Sequence, residues 1–279
     1  MNEEHAAGLK KNKKKYRPPE KILIFSVAAW FCIMIIIPFS GILRQLMNKN
    51  WKQSIASLIS PAALHAFGLT LFICVSVVII NTVFGIIAAI VLSRQKFRGK
   101  LLLESILDLP FAISPVVIGF MLIILFGPYG WLGNILIRHN IKITYAVPGM
   151  IIATLFVTLP FISKEIIPVL RQFGTEQEEA ARVLGANSWQ IFWRITYPTI
   201  KWSLGYGITL TIARSLGEFG AVLVVSGNII KKTQSATLYI HDQFTDLNYQ
   251  GAFAASMVLI LGSILVIHII QFINKKKRG

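Results

Sequence analysis

The stretch that decides the reading is Glu179-Ala180-Ala181-Arg182-Val183-Leu184-Gly185, followed at a distance by Ile195-Thr196-Tyr197-Pro198. It is polar, yet it lies between two strongly apolar segments. Thr175 followed by Glu178 matches a capping box, in which a hydroxyl and a carboxylate satisfy the first free amides of a helix, so a helix is expected to start near Glu176. Ala180, Ala181, Val183 and Leu184 give that helix a small apolar face. Gly185 can adopt the left-handed conformation that ends it without a Cβ clash. Asn187 or Ser188 can cap a second short helix carrying Trp189, Ile191, Phe192 and Ile195, which Pro198 is expected to terminate. A helix, a glycine turn and a second helix between two membrane spans present a docking element to something soluble. The alternative is an amphipathic hairpin resting on lipid headgroups.

Composition places the rest of the chain in a membrane. Hydrophobic residues make up 54% of the sequence and charged residues 14%, a balance outside the range of ordinary soluble domains. The net charge of +16 does not point to nucleic acid, because the basic residues sit beside apolar spans and form no soluble basic face. Crossing a hydrocarbon core of about 30 Å takes about 20 apolar residues. Six segments qualify, near 22–43, 66–92, 106–126, 146–163, 203–226 and 252–273. The first follows a long basic leader and is not followed by a small-x-small cleavage site, so it reads as a retained span.

Orientation follows from where lysine and arginine fall. Lys10, Lys11, Lys13, Lys14, Lys15, Arg17 and Lys21 precede the first span; Arg94, Lys96, Arg98 and Lys100 follow the second. Lys164, Arg171, Arg182, Arg194 and Lys201 surround the polar loop, and Lys275, Lys276, Lys277 and Arg278 end the chain. The opposite loops hold only Arg44, Lys49, Lys52, Arg138, Lys142, Lys231 and Lys232. Both termini and the polar loop are therefore expected in the cytoplasm. The organisation expected is a basic cytoplasmic arm over 1–21, drawn to anionic lipid, a first helix with its external loop over 22–61, a core over 62–273 with the polar loop at 175–200, and a basic tail over 274–279.

Other features carry less chemistry. Cys32 and Cys74 lie in apolar runs and support neither a disulfide framework nor a metal site. The five histidines show no ligand spacing, and Tyr239, His241, Asp242 and Asp246 in an external segment are not read as a metal site. Neither a nucleophile elbow nor a phosphate-binding Gly-x-x-x-x-Gly-Lys loop is present, so the chain is not expected to hydrolyse ATP or act as an enzyme. Asp108 reads as a charge at the cytoplasmic start of the third span, either favoured there by the helix dipole or taking part in transport. Pro38, Pro110, Pro115, Pro148 and Pro160 fall in or beside spans and can bend them. Gly205, Gly207, Gly217, Gly220 and Gly227 make the fifth span rich in small residues, which favours close helix packing.

Within that span Arg214 and Glu218 stand four residues apart on one helical face. Counting from Ser203 at about 1.5 Å per residue, Arg214 lies roughly 17 Å deep and Glu218 about 6 Å further. Charges at that depth are costly unless they pair or face water. They read either as a packing salt bridge or as part of an anion path, with Thr211 and Ser215 on adjoining positions as hydroxyl donors.

The spacing Glu179-Ala180-Ala181, Gly185, Ile195, Pro198 resembles the signature cytoplasmic loop of the permease subunits of bacterial ATP-binding cassette importers, with Tyr197 where that family usually has Leu. Arg214-Ser215-Leu216-Gly217-Glu218-Phe219-Gly220 and its continuation to Gly227, and the segment from Asp108-Leu109-Pro110 through Pro115 to Gly119, are similar to the sulfate/thiosulfate branch, CysW-type, with molybdate permeases as relatives. The likeness covers 62–272 and not the basic arm. It implies an all-α polytopic permease of the type I fold in the bacterial inner membrane, importing sulfate or thiosulfate, or in the alternative molybdate or tungstate. It also implies a second homologous permease subunit, two ATPase subunits that carry ATP and magnesium and dock on the Glu-Ala-Ala loop, and an extracellular binding protein above the segment 228–250. No cofactor is implied on this chain itself. An ATP-independent ion channel is the reading from a different class.

Overall fold

In a computed structural model of the protein, residues 18–48 and 51–276 are described. The expected basic arm, apart from its last few residues, and the final three residues of the tail lie outside the described residues. The chain forms two units, 1–49 and 50–279. In the first, α1 runs Pro18–Asn48 with Pro38 inside it, and its apolar part, Ile22–Met47, is long enough to cross a membrane.

The second unit is built on three long helices. They are α3 (Pro61–Arg94), α7 (Val147–Phe173) and α13 (Tyr249–Lys276). Ser60 caps α3 by accepting from the Ala63 amide, and Pro61 takes the first helical position, where its missing N–H costs nothing. Between α3 and α7 the Asn81 side chain donates to the Thr158 hydroxyl at 2.7 Å, so a buried amide is satisfied across the pair. Ile162 of α7 is held between two glycines. A Cβ on Gly85 of α3 would stand 2.8 Å from Ile162 Cγ2, and one on Gly207 of α10 (Tyr197–Leu216) would stand 2.9 Å from Ile162 Cα. Small residues let three helices approach where lipid gives no hydrophobic drive for association. The packing role expected of Gly207 is thus met.

Two of the six expected spans are not single helices. The third breaks into α4 (Lys100–Ala112) and α5 (Pro115–Phe126), which meet at 114°. Pro115 excludes helical geometry at Ser114, which is extended with ψ 136°. The fifth breaks between α10 and α11 (Gly220–Ser226) with a bend of 55°. Among the described residues, four helices are long and apolar enough to cross a membrane, or up to six spans if each bent pair counts as one. The half-helices α5 and α11 pack together through glycine. A Cβ on Gly119 would meet Ala221 O at 2.9 Å, and Gly220 lies against Pro115 and Val116.

The fourth span runs well past Ser163. Helix α7 continues to Phe173 through Pro160 and Pro168, because Ile166, Ile167 and Leu170 are buried in one cluster with Leu92, Leu107 and Ile200; at its surface Lys164 bridges to Asp108 at 2.5 Å and Arg171 to Glu104 at 2.5 Å, both on α4. Asp108 is therefore near the C-terminal end of α4, not at a helix N-terminus, and its partner is a lysine, not the helix dipole. Short helices α2 (Trp51–Ile59), α6 (Gly133–Arg138) and α12 (Ala236–Thr245) complete the ends of the bundle. Helix α12 is tied down by Ala236 N donating to Thr70 Oγ1 at 2.8 Å and by Tyr239 Oη donating to Ser57 O at 2.8 Å.

Candidate functional site

The polar loop folds as α8 (Glu176–Val183), a turn, and α9 (Ser188–Ile191). Gly185 ends α8 with φ +86°. Its amide donates to Arg182 O at 3.0 Å, and the Ala186 amide donates to Ala181 O at 2.9 Å. This pair of bonds is the Schellman arrangement, which needs the left-handed residue that glycine supplies most cheaply. Asn187 then caps α9 in a full capping box with Gln190, as its position suggested.

Two local expectations fail. Thr175 precedes α8 but makes no side-chain cap, its backbone being near-helical at φ −107°, ψ −7° and not extended as a capping residue usually is; the reciprocal bond is missing because the Glu178 carboxylate is engaged elsewhere. Nor does Pro198 end the second helix. The chain passes from α9 through a π-helical turn, Phe192–Thr196, directly into α10, with Pro198 in its first turn. Tyr197 N–H donates back to Phe192 O, the wider i to i+5 bond of a π turn, so the helical path continues past the proline.

The otherwise polar surface of the loop carries an exposed apolar corner. Val183 and Leu184 are 88% and 86% exposed, and Trp189 is 69% exposed. Ala181, Leu184, Gly185, Ile191, Arg194 and Ile195 border a groove of about 450 Å³ between the two short helices. Of the residues singled out in the sequence, Glu179, Ala180 and Pro198 are exposed, Ala181 and Ile195 half-buried. Trp189, Trp193 and Tyr197 form a ladder of rings at 5.5 and 5.2 Å along the helix.

Underneath, Glu178 is buried. Its Oε1 accepts from Arg94 at 2.9 Å and from the Thr196 hydroxyl at 3.0 Å, and the same guanidinium donates to Leu170 O at 2.9 Å. The sequence reading gave Glu178 only a capping role and Arg94 only a place among the orienting charges, and did not link either to Thr196. The signal that could have found them is a pair of opposite charges with no local partner, one ending an apolar span and the other beside the polar motif.

The second set of singled-out residues lies at the break between α10 and α11. Arg214 Nη1 meets Glu218 Oε2 at 2.6 Å, with side chains 32% and 1% exposed. They do not share a helix, however. The helix ends at Leu216, and Glu218 stands in the break, where its Oε1 accepts from the Ala221 amide at 3.0 Å and its carbonyl accepts from Thr237 at 2.7 Å. Ser215 Oγ is buried without a partner among the described residues and borders a small void shared with Thr70, Thr154, Glu218 and Ser235. Thr211 is fully buried and its hydroxyl donates to Gly207 O, so it faces the packed interior.

Past α11 the chain turns on Gly227, φ +66°, and Asp242 accepts from Asn228 at 2.8 Å and from Gln234 at 2.5 Å. This network organises the segment in which a metal had been weighed. Among the described residues, no three His, Cys, Asp or Glu side chains stand where one ion could hold them together.

Apolar helices, with two further spans broken and a polar loop held at one end, are the architecture of a multi-pass membrane protein. The family model for binding-protein-dependent transport system inner membrane components matches residues 81–279, and the chain belongs to this family, in its CysW-type branch. It is similar to the sulfate transport system permease protein CysW of Synechocystis, 42% identical over 92% of this chain and 93% of that protein. It is also similar to the chloroplastic sulfate permease 2 of Chlamydomonas reinhardtii, 46% identical over 86% of this chain, which spans 65% of that longer protein. CysT of Escherichia coli is 36% identical over 88% of both chains. Among solved structures, a bacterial alginate ABC transporter in complex with an alginate pentasaccharide-bound periplasmic protein shares the fold, with TM-score 0.78 at 18% identity over 92% of this chain and 93% of that one.

Proposed function

We propose that this chain is the translocating subunit of an ATP-driven importer of sulfate or thiosulfate. The observation that carries the reading is the exposed Val183–Leu184 corner on a turn locked by Gly185, in a chain whose relatives are sulfate permeases. An apolar corner on a polar loop is unfavourable in water and fits a groove on a soluble partner. That partner is an ATPase subunit, two per complex, which binds ATP and magnesium; this chain contributes no catalytic group. Similarity to both CysW and CysT supports a second, homologous permease beside it. The periplasmic protein in the alginate complex supports an external binding protein above α12. The lysine and arginine distribution supports termini and α8 on the cytoplasmic side.

In this reading, closure of the ATPase pair moves α8, and the helices switch the pathway from outside to inside. Each partner shifts that equilibrium only as far as it binds one state better. Arg214, partly exposed and held by Glu218, offsets the charge of the passing anion, and Ser215 adds a hydroxyl nearby. The sulfate permeases named above do not favour the molybdate, tungstate or channel readings. Purifying the assembled complex with its binding protein and identifying the bound anion tests the proposal. Retention of molybdate with no sulfate or thiosulfate would refute the substrate.

A further inference from the structure

We propose that Arg94, Glu178 and Thr196 form the joint through which movement of the polar loop reaches the spanning helices. This rests on the reading of α8 as the ATPase-docking loop. Four elements meet on one guanidinium and one carboxylate. Arg94 is the last residue of α3, and its two terminal nitrogens divide between Leu170 O near the end of α7 and Glu178 Oε1 on α8. The same carboxylate oxygen takes the hydroxyl of Thr196, the last residue of the π-helical turn that leads into α10. Arg94 and Glu178 side chains are only 11% and 7% exposed, so the pair is little screened and its geometry is restrictive.

The placement separates docking from transmission. Glu178 points inward from α8 while Val183 and Leu184, five and six positions on, are almost fully exposed. One short helix therefore presents one side to the cytoplasm and is bolted by the other to α3, α7 and the foot of α10. Helix α8 has no comparable hold of its own, since its N-terminal cap is missing. A guanidinium suits the task because its planar fork can hold two acceptors at once, which an ammonium cannot do with the same geometry. The Nε–H of Arg94 is buried without an acceptor among the described residues, leaving a donor free for a second arrangement of the loop. The adjoining π turn is a locally irregular segment of the kind that tolerates such a rearrangement.

The test uses the whole complex in proteoliposomes, with both permeases, the ATPase subunits and the binding protein, and compares Glu178→Gln, Arg94→Lys and Thr196→Val. The readouts are retained ATPase, ATP hydrolysed, and labelled sulfate imported per ATP. The joint predicts that the ATPase stays bound and hydrolyses ATP while sulfate per ATP falls by roughly fivefold or more for Glu178→Gln, the lower range of energetic coupling between distinct sites. Arg94→Lys and Thr196→Val should fall by less. An unchanged ratio in all three variants overturns the proposal. Loss of the ATPase from all three also overturns it, since the network would then only build the docking surface. Leu184→Asp, outside the joint, tests the underlying reading by itself. If its ATPase remains fully bound, α8 is not the docking element and the joint falls with it, whatever the import ratio shows.

Discussion

Replacing Gly185 with valine isolates the contribution of one backbone conformation. A Cβ built on Gly185 meets nothing within 4 Å, so no steric clash with neighbours contributes. The cost comes from φ +86°, a region that L-residues occupy at about 1–2 kcal/mol and that β-branched residues avoid most strongly. Because the turn is exposed and the bundle does not rest on it, the loss should fall on the loop and leave the spans folded. A penalty of about 1–2 kcal/mol lowers the population of the formed turn roughly 5- to 30-fold relative to its open form. Asparagine tolerates the left-handed region better than alanine, and alanine better than valine. ATPase affinity for permease in nanodiscs should therefore fall in the order Gly, Asn, Ala, Val, with sulfate uptake following it. Helix content and melting of the permease should not change. Wild-type ATPase affinity in Gly185→Val, or a loss that ignores the order of the series, would refute the coupling role of this turn.

Three further outcomes are expected. In a background lacking Cys32 and Cys74, single cysteines at the exposed positions Lys142 and Lys232 should react with an impermeant thiol reagent from outside, and one at Glu179 should not; external labelling at Glu179 would reverse the orientation. Gln234 is unsuited to this assay, since it is 2% exposed and bonded to Asp242. Gly85→Leu and Gly207→Leu should each destabilise the bundle by about 1–3 kcal/mol, the usual range for overpacking, because their Cβ atoms meet Ile162 within 3 Å; unchanged melting of the purified permease would contradict the close approach. Arg214→Ala should lose uptake with the ATPase still bound, and Glu218→Gln should assemble but transport poorly, while parental import by both variants would remove them from the pathway.

Much of the architecture was legible because it depends on short-range patterning. Apolar runs located α1, α3, α7 and α13 to within a helical turn or two at most of their ends, since hydropathy in a bilayer depends on composition over about 20 residues. The end of α7 is the exception: Lys164 and Arg171 look like loop residues until α4 supplies Asp108 and Glu104. Gly185 and the Asn187 cap were also readable, because turn and cap chemistry involve neighbours only a few residues apart.

What the amino-acid order determined by itself, then, is a polytopic helical chain with a glycine-locked polar loop. Tertiary structure decided what holds that loop. Thr175 and Glu178 fit a capping box, yet Glu178 instead pairs with Arg94, 84 positions away, and with Thr196, 18 positions away. Pro198 looks like a stop in sequence, but the π turn before it carries the helix on into α10. Arg214 and Glu218 were paired correctly on the wrong geometry: the pair spans a break whose existence depends on α11 packing against α5 and on Thr237 taking the Glu218 carbonyl. A buried charge or free carbonyl takes whichever partner the assembled helices bring within reach, and that choice is made across the bundle, beyond the range of any local pattern.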